Sequence, residues 1–291
     1  MKQSREYIIT SDTTCDLPES YCRENNIPLL SVDYTLEGVS YSGSDPLITP
    51  EQFYAKMRSG ALPQTQQVTP QKAETTFESL IQQGYDVLHI GFSSALSGSY
   101  NSTVIAANEL RERYPEAKIV TIDSLCASLG EGLLVHKAVE LKKQGMPLED
   151  CAQWVEDNKL KLCHYFTVDD LNHLHRGGRV SKAAAVVGTA LNIKPVLHVS
   201  DEGKLIPVEK VRGRKQSLVR MADQMGERIE GVQNDTVFIS HGDCLEDAQF
   251  VASLVKERFG IGNVMYNFIG PSVGSHSGPG TVALFFFGNK R

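Results

Sequence analysis

Across its first half the chain alternates short apolar runs with helix-patterned segments, and no other feature narrows its possible folds as much. Tyr7-Ile8-Ile9-Thr10 reads as a buried strand, followed by the turn residues Ser11-Asp12-Thr13-Thr14 and a short helix after Pro18. Residues 27–36 form a second extended run. Two helix starts follow, Thr49-Pro50-Glu51-Gln52 and Thr69-Pro70, each with threonine placed as N-cap and proline in the first turn. The second helix carries Ala73, Phe77, Leu80 and Ile81 on one stripe, and Gly84 ends it. Residues 87–92 then read as a strand, 93–99 as a turn, 100–113 as a helix and 118–123 as a strand. Two further helices run to about Lys159. Such alternation predicts a parallel sheet with helices on both faces. Ligands of such sheets lie beyond the carboxyl ends of the strands, which directs attention to residues 11–14, 93–99 and 123–124.

The second half has a different pattern. Residues 161–168, 195–199, 204–211, 236–241, 264–269 and 281–287 read as strands. One long helix bears Leu218, Met221, Ala222, Met225 and Ile229; another bears Ala248, Val251, Ala252, Val255 and Phe259. The turn Val199-Ser200-Asp201-Glu202-Gly203-Lys204 implies antiparallel pairing. The expected fold class is α/β in two domains. Residues 1–164 would form an N-terminal parallel-sheet α/β domain, and 165–291 a C-terminal mixed-sheet α+β domain. No linker, repeat or low-complexity tract separates them, so direct packing is expected. A length of 291 residues suits two domains.

Charge and composition exclude several classes. With 29 Lys and Arg against 35 Asp and Glu, the net charge is −6, and no global field draws the chain to nucleic acid. The longest apolar run, residues 282–287, is far below the roughly 18 to 20 residues of a membrane span. Met1-Lys2-Gln3-Ser4-Arg5-Glu6 has no apolar stretch behind its charges, so no signal peptide is expected. Cys15, Cys22, Cys126, Cys151, Cys163 and Cys244 form no C-x-x-C pair, and free thiols in a reducing cytoplasm are the expectation. Neither a G-x-x-x-x-G-K-[ST] loop nor a strand-following G-x-G-x-x-G occurs, and H-E-x-x-H is missing. His173 and His175 lie two apart without a second ligand cluster. No metal or cofactor is expected.

Four polar segments fall where loops should be: residues 63–70, 93–99, 175–182 and 274–281. The serine loop Ser93-Ser94-Ala95-Leu96-Ser97-Gly98-Ser99 opens a helix, where hydroxyls and free N–H groups either bind an anion or simply cap the helix. The glycine-rich fourth segment carries His276 where backbone can approach a ligand closely. Arg176, Arg179 and Lys182 suit a phosphate or an acidic partner, and Lys210, Arg212, Arg214 and Lys215 form another basic cluster. Both clusters also read as solvated faces. Gly91-Phe92-Ser93-Ser94-Ala95 lies one residue off a G-x-S-x-G nucleophile elbow. With Asp123 and His276 following in order, Ser93 or Ser94 could serve a serine hydrolase acting on lipid esters. A third reading is a phosphate- or nucleotide-binding regulator using the serine loop and residues 176–182.

The motifs taken together resemble a known family. Ser11-Asp12-Thr13-Thr14-Cys15-Asp16-Leu17-Pro18 is similar to the opening signature of the DegV family of bacterial fatty-acid-binding proteins. Thr65-Gln66-Gln67 resembles its T-S-Q element, and Ser93-Ser94-Ala95-Leu96-Ser97-Gly98-Ser99-Tyr100 its S-S-x-L-S-G-T-Y turn. Asp123-Ser124-Leu125-Cys126-Ala127-Ser128, Gly177-Gly178-Arg179-Val180-Ser181 and His276-Ser277-Gly278-Pro279-Gly280-Thr281 resemble three more of its motifs, in the family's order. Gln66 stands where the family has serine, and Ser99 where it has threonine.

The resemblance implies a non-catalytic carrier that holds one long-chain fatty acid, such as palmitate, between its domains. It also implies a partner, a fatty acid kinase that phosphorylates the carboxyl group to an acyl phosphate. Thr65, Ser97, Ser94, Gln66, His276, Thr281 and Arg179 are the implied ligand-binding residues. Thr65 and Ser97 would donate hydroxyls to the carboxylate, with Ser94 close by and His276 completing the set. Arg179 would orient its loop or meet the incoming phosphate, because a bidentate arginine on the carboxylate would hinder its reaction.

Overall fold

The computed structural model describes residues 5–43, 48–181 and 192–291; Lys182 of the basic segment lies outside the described residues. The N-terminal half contains β1 (Tyr7–Asp12), α1 (Glu19–Glu24), β2 (Leu29–Leu30), β3 (Tyr34–Leu36), β4 (Val39–Tyr41) and α2 (Pro50–Arg58). It continues through β5 (Gln64–Thr65), α3 (Pro70–Gln82), β6 (Asp86–Gly91), α4 (Ser99–Arg113), β7 (Ile119–Asp123), α5 (Leu129–Lys143) and α6 (Leu148–Asn158). The second half contains β8 (Leu162–Thr167), α7 (Asn172–Arg176), β9 (Ile193–Val199), β10 (Leu205–Arg212) and α8 (Arg214–Gly226). β11 (Val237–His241), α9 (Leu245–Phe259), β12 (Val264–Phe268), α10 (Pro271–Ser277) and β13 (Val282–Phe287) complete it.

A four-stranded, wholly parallel sheet runs in the order β2-β1-β6-β7. Its strands are apolar on both faces, as a parallel sheet covered on both sides requires. Ile8, Val87 and Ile119 face α3 and α4, where the predicted stripe of Ala73, Phe77, Leu80 and Ile81 is buried. Tyr7, Ile9, Leu88 and Ile90 face the opposite way, into the core that holds α5.

The second sheet has six strands in the order β10-β9-β8-β13-β11-β12, antiparallel except for β11 beside β12. Its outer face, with Tyr165, Leu284 and Phe286, is covered by Leu218, Met221 and Met225 of α8 and Val251 and Val255 of α9. Ile229, assigned to the first of these helices by periodicity, lies beyond its last residue Gly226 and packs from the following turn.

Helix α5 joins the two sheets. Leu129, Leu133, Leu134, Val135, Ala138 and Val139 are buried around much of its circumference, the mark of a helix enclosed on more than one side. It touches β1 and β6 of one sheet and β8, β11 and β13 of the other. Two glycines permit the approach: a Cβ on Gly130 would lie 2.1 Å from His164 Nε2, and one on Gly132 would lie 2.6 Å from the Cys15 carbonyl. The fold is therefore mixed α/β, with a parallel and a mixed sheet stacked about a shared helix. The division at 164/165 falls inside β8, which starts at Leu162 and lies wholly in the six-stranded sheet.

The extended run at residues 27–36 is not one strand. β2 belongs to the parallel sheet, whereas β3 pairs with β4 and β5 in a small antiparallel sheet. Glu37 (φ 51°) and Gly38 (φ 79°) form its two-residue hairpin loop. Strands of two or three residues are too short to carry a period, which is why residues 63–68 read as loop from the sequence. Among the described residues no helix is long and apolar enough to cross a membrane, and all six cysteines are free.

Because α5 lies in the core of both sheets, Leu134→Ala should lower the unfolding free energy by about 2–5 kcal/mol. Both sheets should be lost in one transition, measured by urea denaturation with near- and far-UV circular dichroism. Separate transitions would show that α5 does not couple the sheets.

Candidate functional site

Beyond the carboxyl ends of β1 and β6, between the two sheets, lies a cavity of about 770 Å³ including its mouth. Phe92 and Leu96 line it from the N-terminal half, and Phe166, Val199, Ala283 and Phe285 from the inner face of the six-stranded sheet. The wall is mostly apolar. Its polar groups include Thr65, Ser97, Arg179, His276 and Thr281.

Thr65 and His276, 211 residues apart, meet at 2.8 Å between Oγ1 and Nε2. Thr65 reaches this point because β5 pairs with β3, setting Thr65 opposite Tyr34. His276 reaches it because α10, although part of the second half of the chain, docks on the first. Gly270 N–H donates to Asp16 Oδ1 (2.9 Å), Ser272 Oγ to the Val32 carbonyl (2.8 Å) and Tyr54 Oη to the Ile269 carbonyl (2.7 Å). A Cβ on Gly274 would come within 2.4 Å of Tyr54 Oη, so only glycine lets the helix sit this close.

Ser97 Oγ accepts from Ser99 N–H at 3.2 Å and lies 3.0 Å from Ser99 Oγ, which in turn accepts from Val68 N–H. The serine loop therefore does stabilise its helix start. When Ser99 donates to Ser97, the Ser97 hydroxyl proton is free to point at a ligand. Arg179 Nε donates to the Leu96 carbonyl at 3.1 Å and Nη1 to the Gly177 carbonyl, so this side chain ties its own loop to the serine loop. Thr281 is buried in the cavity wall, but its hydroxyl lies 2.9 Å from both the Ser277 and the Gly278 carbonyl and is spent on them.

Two expected residues lie elsewhere. Ser94 is exposed and outside the cavity lining, and its backbone N–H donates to Asp123 Oδ1 at 3.1 Å. Gln66 is exposed, its backbone N–H held by the Asp33 carbonyl. Its neighbour Gln67 is the residue that packs on the serine loop, at Gly98. In an extended segment successive side chains point opposite ways, so Thr65 facing inward turns Gln66 outward. The sequence reading also passed over Ser128 and Ser277. Both line the cavity, and Ser277 Oγ is buried without a hydrogen-bond partner. Each stood inside a quoted motif, which was the available signal.

The hydrolase arrangement is not assembled here. Ser93 is fully buried and donates to the Gly203 carbonyl at 2.9 Å. Asp123 Oδ1 accepts from the backbone of Ser94 and Leu125. The partner of His276 is Thr65. The basic cluster at 210–215 divides as well: Arg214 pairs with Asp247 and donates to the Gly280 carbonyl, while Lys210 and Arg212 remain exposed on edge strand β10. Among the described residues no group of three or more potential metal ligands occurs.

Burial controls the charge states. Desolvation, and then the nearby Arg179 charge, lower the His276 pKa to about 4, so its ring is neutral near pH 7. Behind the cavity wall, Asp12, Asp16 and Glu131 are buried without a cation. Desolvation raises all three, and Asp16 reaches about 7. Hydroxyls satisfy them instead. Ser128 Oγ donates to Asp16 Oδ2 at 2.5 Å, and Ser11 Oγ donates to Glu131 Oε1 at 2.7 Å.

These two shifts have opposite linkage. Unfolding returns His276 from about 4 toward 6.5, so its contribution to stability is complete above about pH 6.5 and lost as pH falls toward 4. Unfolding returns Asp16 from about 7 toward 3.8, so its contribution is complete below about pH 3.8 and lost as pH rises through 7. The stability difference between wild type and His276→Gln should therefore grow with pH over the first interval, and that for Asp16→Asn should shrink over the second. Urea titrations across this range measure both, and a flat difference for either variant contradicts the assigned burial.

The geometry has counterparts among known proteins. A family model described as "Uncharacterised protein, DegV family" matches residues 7–289. A DegV domain-containing protein of Clostridium perfringens is 42% identical over 288 residues, covering 99% of both chains. A DegV family protein from Thermus thermophilus, solved for its fatty acid binding, superposes with a TM-score of 0.87 at 27% identity, over 98% of this chain and 100% of that one. A stearic-acid-binding protein from Eubacterium ventriosum gives a TM-score of 0.88 at 25% identity, over 97% and 98%. The motifs, the two stacked sheets and the match over nearly the whole length agree: this chain belongs to the DegV family.

Proposed function

We propose that the protein binds one long-chain fatty acid in the cavity between its sheets and presents the carboxyl group to a fatty acid kinase. The observation that carries this reading is a mostly apolar cavity whose mouth holds the Thr65–His276 pair and Ser97.

The tail supplies the affinity. Burying a dozen methylenes at ~0.8 kcal/mol each gives roughly 10 kcal/mol, an upper bound before ordering costs. The head needs hydrogen-bond donors, because a buried carboxylate without partners is costly. Ser97 has a hydroxyl proton to give, and Thr65 can donate to the ligand while accepting from His276 Nε2–H. The neutral state of His276 suits that relay. With no arginine clamped across both carboxylate oxygens, one oxygen stays available for reaction. The protein itself would serve as a carrier, with residues 1–164 and 165–291 supplying opposite sides of the cavity.

For the kinase contact, the row Ile206, Val208, Lys210 and Arg212 faces outward along β10, combining apolar and basic groups. Lys210 and Arg212 supply the charge that would steer an acidic partner surface.

Mass spectrometry of an organic extract of the purified protein should find a copurified long-chain fatty acid. Thr65→Ala and Ser97→Ala should each weaken fatty acid binding by roughly tenfold, the worth of one hydrogen bond to a charged group, with the folded state retained by far-UV circular dichroism. An empty extract together with unchanged affinity in both variants would end this reading. Arg212→Glu should leave fatty acid affinity intact and slow kinase-dependent phosphorylation; equal rates would remove β10 from the docking surface.

A further inference from the structure

Strand register shows which residues lie at the far end of the cavity from its mouth. Along β8 and β13, Val282 stands opposite Thr167 and Phe285 opposite His164. Thr281, bonded to the Ser277 and Gly278 carbonyls, sets the His276 mouth at the Val282 end. His164 and Phe285 therefore lie three residues further in, about 10 Å at the rise of a strand. The pairing of Tyr165 with His198 brings Val199 alongside His164, and Leu205 pairs with Val199. All four of these residues line the cavity. Its far end is thus bounded by the β9–β10 turn, the start of β8 and the loop that carries Ala127 and Ser128.

One side chain is bonded to all three. Arg291 Nε donates to the Leu162 carbonyl at 2.9 Å, and Nη1 donates to the Leu125 and Ser200 carbonyls at 2.9 and 3.1 Å. Nη2 donates to the Lys159 carbonyl at 2.6 Å and to Cys126 Sγ at 3.1 Å. A guanidinium carries five N–H groups in a planar fork, and here each has an acceptor. The acceptors are neutral. Burial raises the Cys126 thiol to about 11, and that thiol donates in turn to the Ser124 carbonyl at 3.2 Å. Two further bonds join the same segments: Ser93 Oγ to the Gly203 carbonyl, and Ala127 N–H to His164 Nε2 at 3.3 Å. Gly203 has φ 76°, and a Cβ there would lie 2.2 Å from Ser93 Oγ, so the β9–β10 turn sits directly on the loop after β6.

None of these bonds reaches the carboxyl end of the cavity, and Arg291 itself is not in the lining. We propose, on the strength of the fatty-acid reading, that Arg291 is a positioning residue for the acyl tail: its guanidinium holds the three segments that close the far end, and so favours acids long enough to reach them. A tail gains apolar contact with Val199 and Leu205 only where the turn between them is already fixed. Without the fork, the ligand would have to order that turn on binding, at a cost in affinity. The cost falls on long tails alone, because a short tail leaves the far end untouched. Lysine cannot replace the fork, since an ammonium is a compact charge with three donors and cannot span acceptors on separate segments.

Displacement of a fluorescent fatty acid measures the affinities of palmitate and of the shorter decanoate. Arg291→Gln should weaken palmitate about tenfold, the burial of roughly two methylenes, and leave decanoate unchanged. Arg291→Lys should lose palmitate affinity as the glutamine variant does. Should neither variant fold, the wild type still decides: amide hydrogen exchange at residues 200–205 should slow with palmitate and not with decanoate. Equal weakening of the two acids, full palmitate affinity in either variant, or equal protection of the turn by both acids would overturn the role of Arg291 alone. A wild type that binds neither acid would overturn the fatty-acid reading, and this role with it.

Discussion

Helix α5 has few faces to give to water, and the molecule is arranged around that constraint. Residues 129–135 of this helix are all buried and must be enclosed, and here a parallel sheet lies on one side and a mixed sheet on the other. Gly130 and Gly132 let both approach to contact distance. Once the sheets are stacked across this helix, the loops after β1 and β6 face the inner surface of β8 and β13. They do not fill the gap at the helix N-terminus, and the cavity is that gap.

Where it opens, the surroundings of the cavity are polar without a buried salt bridge among the described residues. Apart from the Arg179 guanidinium, which donates to the Leu96 and Gly177 carbonyls, the polar groups at its mouth include hydroxyls and a neutral imidazole. Three carboxyl groups lie behind the wall, yet burial shifts each toward its protonated form, and Ser11, Thr14 and Ser128 satisfy them. Ionised and unscreened, they would place negative charge directly behind the wall. Arg176 lies outside this ring of groups, in the open hollow that also borders Thr65, Arg179 and His276.

Much of this was legible in the chain. The stripe Ala73, Phe77, Leu80 and Ile81 was recognisable because a buried helical face needs that spacing, and all four are buried. The six strands of the second half were recognisable for the same reason, since each carries at least five consecutive residues of sheet pattern. What escaped was short or long-range. β3, β4 and β5 are too brief to show a period, yet their pairing aims Thr65 into the site and Gln66 away from it. Arg214 read as one of four surface cations, but its ion pair with Asp247 depends on α8 packing beside α9. Ser93 fitted a nucleophile elbow by spacing and proved to be a buried donor to the carbonyl of Gly203, 110 residues away.

The sequence by itself determined the longer elements, the class of the two larger sheets and the family, because periodicity, caps and ordered motifs are local properties of a chain. Which of the motif residues meet was decided by tertiary structure alone. Thr65 and His276 share a hydrogen bond across 211 residues because Asp16, Val32 and Tyr54 hold α10 against the opposite half of the molecule. Contacts of that separation are set by packing and by the desolvation it imposes, and no local pattern in the chain encodes either.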